Sequence, residues 1–183
     1  MKTYGVILAA LGLGVWPVMP AAADPAPLSE TVAALTRYTG STVFTIEYPQ
    51  AWQVKRLTET EIELDSVPVA TPALMSEIYT QVQLLSENPD AVVNRSIDQF
   101  IADRSQVRLY RIVSVDGQAG FRIWMTGRAG DLTHAIATFV GYGDQQTALI
   151  FSQYAVDDAE TEALILQVHD SFKNIEIAPA VSE

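Results

Sequence analysis

The sequence contains no cysteine. That absence removes disulfide cross-links, thiolate metal sites, cysteine nucleophiles and a lipid-modified cysteine together. Basic residues are scarce too: 11 Lys and Arg stand against 22 Asp and Glu, for a formal net charge of −11 and an isoelectric point near 4.5. A surface of that sign repels phosphate backbones and anionic headgroups, which argues against nucleic-acid binding and direct attachment to anionic lipid. The G-x-S-x-G, G-x-G-x-x-G, H-E-x-x-H and P-loop motifs are all missing, so no familiar catalytic or nucleotide-binding signature is present. What remains is a chain of 183 residues, 49% hydrophobic, with a mean hydropathy of +0.15. That is one globular domain with enough apolar surface for a core, and without cross-links packing must hold it.

Part of the apolar content is not core. Lys2 precedes an apolar run over residues 4–18, followed by the small residues Ala21, Ala22 and Ala23. This is the order of an export signal cleaved after Ala23. A retained membrane anchor would need about 20 uninterrupted apolar residues, and Pro17 and Pro20 break the run. The chain therefore divides into a signal (1–23), a linker with a short N-terminal helix (24–37), a folded domain (38–176) and a tail (177–183). The helix rests on Leu28, Val32 and Leu35 at i, i+4, i+7, with Ser29 as cap.

Within the domain the period changes to two. Phe44, Ile46 and Tyr48 alternate with polar residues, as do Trp52 and Val54, Ile62 and Leu64, and Ile78, Val82 and Leu84. Val93, Ile97, Phe100 and Ile101 restore a helical spacing, with a start either near Asp90 or at Ser96. Asp116-Gly117 and Gly143-Asp144 mark the turns of two hairpins over residues 107–126 and 133–154. A closing helix from Asp157 buries Leu164, Ile165, Val168 and Phe172 and gathers acids at its N-terminus. The order α-β-β-β-β-α-β-β-β-β-α predicts an α+β fold, an antiparallel sheet of about eight strands with helices packed on it.

The opening Phe44-Thr45-Ile46-Glu47-Tyr48-Pro49-x-x-Trp52, the helix start Ser96-Ile97-Asp98-Gln99-Phe100, the turn Val115-Asp116-Gly117-Gln118 and the closing Ser171-Phe172 together resemble the PsbP-like family. That family comprises the extrinsic photosystem II subunit and related exported bacterial proteins. The resemblance spans residues 38–175 and implies an α/β/α sandwich. It further implies a protein that docks on a membrane assembly, photosystem II, in its assembly or in support of oxygen evolution. The compartment would be the periplasm or thylakoid lumen. The chain departs from the family in lacking a lipidated cysteine and in its thin basic patches.

By the same resemblance, His134 matches a histidine implicated in divalent-metal binding (zinc, manganese or calcium), with Asp131 or Asp116 as the nearest further ligands. The competing reading is a half-buried strand histidine. His169 lies near the end of the closing helix, where a partly cationic imidazole would suit the dipole. Ser152, within a strand, lacks the strained turn of a hydrolase nucleophile. Along residues 118–126 the alternation sends Phe121, Ile123 and Met125 to the core and puts Arg122 and Trp124 on the other face. With Tyr110, and Tyr142 nearby, these form the expected partner-binding set, since aromatics with an arginine dominate binding hot spots. The alternative is that a second layer covers that face. The functional expectation is a non-enzymatic, exported docking protein. Its rival is a generic periplasmic module, for a protein or small ligand, with no photosynthetic role.

Overall fold

The computed structural model describes residues 34–66 and 78–175. The signal at 1–23, the linker, residues 28–33 of the N-terminal helix and the tail at 177–183 lie outside them. Leu35, the last position of that helix, instead begins strand β1 (Leu35–Tyr38), which pairs antiparallel with β2 (Phe44–Pro49). At Leu35 the pairing with Pro49 across the strands, rather than helical spacing, sets the backbone. The other strands are β3 (Gln53–Arg56), β4 (Glu61–Asp65), β5 (Ile78–Leu85), β6 (Gln106–Val115), β7 (Gln118–Thr126), β8 (His134–Gly141), β9 (Thr147–Tyr154) and β10 (Lys173–Asn174). Two helices interrupt them, α1 (Pro89–Ala102) and α2 (Ala159–Asp170).

The fold is α+β and antiparallel. Its strands form a seven-stranded sheet in the order β3-β4-β5-β9-β8-β7-β6 and a three-stranded one, β1-β2-β10. The main sheet is covered on both faces. On one, Val92 and Phe100 of α1 pack with Ile123, Met125, Ala137 and Phe139. On the other, Ile165, Val168 and Phe172 meet Phe44 and Ile46 of the small sheet over Val82, Ile136 and Ile150. Strand β8 lies beneath both layers, and its interior Ala135–Val140 is buried without alternation. Each large apolar side chain buried this way contributes roughly 1.5–3 kcal/mol.

Local chemistry sets the element ends. Asn88 caps α1, its Oδ1 accepting from the Asp90 amide at 2.9 Å, with Pro89 in the first turn. The helix thus starts next to Asp90, the first of the two starts offered by the sequence, and Ser96 lies inside it. Asp158 caps α2, accepting from the Thr161 amide at 2.8 Å, and its carboxyl is held below its usual range chiefly by that bond. Asp116 and Gly117 both take positive φ, 53° and 73°, as a two-residue turn matching the strand twist requires. Asp116 also accepts from the Asn174 amide at 3.0 Å, tying β10 to this hairpin. Phe44 and Phe172 stack with centroids 5.5 Å apart, joining the small sheet to the end of α2.

Candidate functional site

Of the three partner-binding residues expected from the sequence, only Tyr110 is exposed. Trp124 and Arg122 are buried, because α2 and the small sheet cover their face. Tyr142 is buried as well, its hydroxyl donating to Asp116 Oδ2 at 3.2 Å.

Arg122 belongs to a buried polar chain that crosses four strands. Its Nε donates to Thr138 Oγ1 at 2.7 Å, and its Nη2 pairs with Asp170 at 2.5 Å. Thr138 Oγ1 lies 2.8 Å from His169 Nδ1, and His169 Nε2 lies 2.8 Å from Ser152 Oγ. Ser152 in turn meets Thr80 Oγ1 at 2.6 Å. The network assigns the tautomer. With the Arg122 cation donating to Thr138, the Thr138 hydroxyl points its own proton at Nδ1, so His169 carries its proton on Nε2 and donates to Ser152.

His169 is therefore not the cationic helix-end residue expected. Burial first, and the nearby Arg122 guanidinium second, hold its imidazole neutral, well below the usual range. The Ser152–His169 pair has the spacing of a nucleophile and its base, but the surroundings oppose that use. Both residues, with Thr138 and Thr80, are sealed from solvent. A threonine hydroxyl stands where a triad carboxylate would be, and a buried cation nearby disfavours the imidazolium that a general base must become. The chain holds the layers in register.

A signal for this network exists in the sequence. Thr80, Thr138 and Ser152 each interrupt an apolar period-two face, between Ile78 and Val82, Ile136 and Val140, and Ile150 and Tyr154. Register then sets Arg122 opposite Thr138, and Thr80 opposite Ser152.

His134 pairs across strands with Tyr154, rings 5.4 Å apart, and its buried Nδ1 has no hydrogen-bond partner. That orphan nitrogen is the one feature a metal would use. Among the described residues, no three His, Asp or Glu side chains gather to hold an ion. Asp116 is spent on Tyr142 and Asn174, and Asp131 is exposed. Zinc needs at least three protein ligands, and calcium six or more oxygens. The residues present do not fit such a site.

The open feature is the strand that carries Tyr110. Strand β6 forms one edge of the main sheet, and Tyr110 and Ile112 are 67% and 75% exposed on it. Both share the α1 side with their cross-strand partners Ile123 and Phe121, and Tyr110 rests on Phe121 with centroids 5.9 Å apart. A groove of about 180 Å³ lies between this strand and α1, with Ile101, Val107 and Tyr110 on its rim and Phe100 and Ile123 beneath. On the opposite face, Arg108 binds Asp157 at 2.5 Å and also Glu162, tying the strand to α2. A strip of large apolar side chains beside arginines is the character expected of a contact surface. Among the described residues, no helix is long and apolar enough to cross a membrane.

No protein-family model matches the sequence, and no curated protein is significantly similar to it. Several solved structures align with it. The solution structure of cyanobacterial PsbP (CyanoP) from Synechocystis sp. PCC 6803 matches with a TM-score of 0.53 at 13% identity, over 82% of this chain and 98% of that one. A Pseudomonas aeruginosa protein of unknown function, PA94, gives 0.45 at 14% identity, over 81% and 99%. A Bacteroides thetaiotaomicron protein gives 0.42 at 9% identity, over 75% and 47%.

Proposed function

We propose that this chain is an exported, non-enzymatic docking protein that binds a membrane protein assembly on its periplasmic or lumenal side. The observation that carries the reading is the apolar strip of Val107, Tyr110 and Ile112 beside α1, on a protein of net charge −11. Exposed large side chains in one contiguous strip mark contact surfaces far more often than isolated ones do. The PsbP-like fold, shared with the cyanobacterial protein, supports photosystem II as the assembly, in its biogenesis or in support of oxygen evolution. That step is one of analogy, since a fold hosts many functions.

A photo-crosslinking residue in place of Tyr110, expressed in the native host, tests the reading. Crosslinks to subunits of a membrane complex that migrate with photosystem particles are expected. Crosslinks to an unrelated periplasmic protein would leave the docking role and remove the photosynthetic one; none at native abundance would remove both. Mass spectrometry of the recovered protein tests export, with Asp24 expected as the first residue.

A further inference from the structure

The geometry points to β6 as the acceptor for an added strand: an extended segment of a partner protein, apolar on one face and acidic on the other. This rests on the docking reading above and names its occupant.

The two edges of the main sheet are not alike. Strand β3 has 4 residues, whereas β6 has 10. A short strand protects an edge; a long one leaves a row of backbone donors and acceptors open to pairing. Among the described residues, β6 pairs only with β7. Its register is irregular between Val107 and Leu109, then unbroken from Leu109 to Val115. That regular run is a template for main-chain addition, in which backbone bonds give affinity and alternate side chains give specificity.

The faces specify the side chains. On the α1 side, Tyr110 and Ile112 need an apolar neighbour to cover them. On the α2 side, Arg111 is exposed and makes no ion pair among the described residues, while Arg108 is already engaged by Asp157 and Glu162. From Arg104 to Val115 there are three arginines and no acid, in a chain with 22 acidic residues. Charge also decides against a second copy as occupant. Pairing two β6 strands would set their arginines in one strip, and like charges side by side across strands are destabilising. The same Arg111 that repels a twin attracts a carboxylate on a foreign strand.

Fluorescence anisotropy with labelled ten-residue peptides tests this on the purified protein. The probes are alternating Glu and Val, alternating Lys and Val, and the Glu peptide N-methylated at every second amide. The Glu peptide is expected to bind at least tenfold more tightly than the Lys peptide. Arg111→Glu should reverse that preference, and N-methylation should abolish binding without any change to the protein. Equal affinities, binding that survives N-methylation, or no binding by any peptide at millimolar concentration would each overturn the inference. So would sedimentation showing a dimer with protected β6 amides. If Tyr110 crosslinks to a native assembly while the peptide preferences fail, docking stands and strand addition falls.

Discussion

Ser152 Oγ and His169 Nε2 lie 2.8 Å apart, and neither residue is open to water. The pair is the centre of a buried polar chain whose members satisfy one another, and such chains cost most when one member is removed. His169→Ala would take one hydrogen-bond partner from each of the Thr138 and Ser152 hydroxyls and leave a cavity under α2. A loss of about 3–5 kcal/mol in urea unfolding is expected. His169→Gln, which retains a donor and an acceptor, should lose less than half of that.

Acid should weaken the fold through the same residue. His169 is neutral in the folded state, with its pKa held well below the ordinary 6.5, while the unfolded chain takes up the proton near that value. The unfolded state therefore binds more protons below pH 6.5, so stability is complete above that pH and is lost as pH falls beneath it. The slope should approach about 1.4 kcal/mol per pH unit, in the interval above the carboxylate range. His169→Gln should flatten that interval in chemical denaturation followed against pH.

Arg122 contributes to the neutral state of His169. Arg122→Met removes the neighbouring cation while filling most of its volume. The His169 titration, followed by NMR of the imidazole, should move upward toward neutral pH, and the acid loss of stability, which still begins near pH 6.5, should end at a higher pH and be smaller. An unchanged midpoint would assign the shift to burial alone.

Glycines at two places on one hairpin should respond differently. A Cβ at Gly117 meets nothing within 4 Å, but φ is +73° there, so Gly117→Ala should cost about 1–2 kcal/mol from backbone strain alone. At Gly120 a Cβ would stand 2.8 Å from the Phe139 carbonyl oxygen, so Gly120→Ala must displace β8 and should cost more. Thermal unfolding of the two variants gives the order.

Substitution of the exposed strip should separate binding from stability. Ile112→Lys touches a side chain that is 75% exposed, and its stability should stay within about 0.5 kcal/mol of wild type. Crosslinking through Tyr110 should nevertheless fall sharply. A large stability loss would mean that Ile112 packs in the core.

The fold was legible wherever backbone chemistry decided it. Asp116-Gly117 reads as a turn because both residues must take positive φ, and Ile78, Val82 and Leu84 read as a strand because one face is buried. What covers the sheet was not legible in the same way. Alternation on β7 distinguishes two faces without saying that both are covered, so it left Arg122 and Trp124 either on a contact surface or beneath a second layer, and the second layer is what the structure has. Arg122 tolerates its burial because its Nη2 reaches Asp170 at the surface. Nor does alternation give strand order. Because α1 carries the chain across the sheet, and β9 takes the place beside β5, β6 falls at the far edge. That position is what leaves Tyr110 open to a partner.

Strand β2 lies between β1 and β10, so its two neighbours come from opposite ends of the described chain. Phe44 waits for Phe172, and during synthesis nearly 130 residues separate the two halves of that stack. Contacts so distant along the chain form late and slowly. Whatever machinery handles the nascent polypeptide meets an unlatched layer until residue 172 is made. The stack at Phe44 acts as the clasp that closes last.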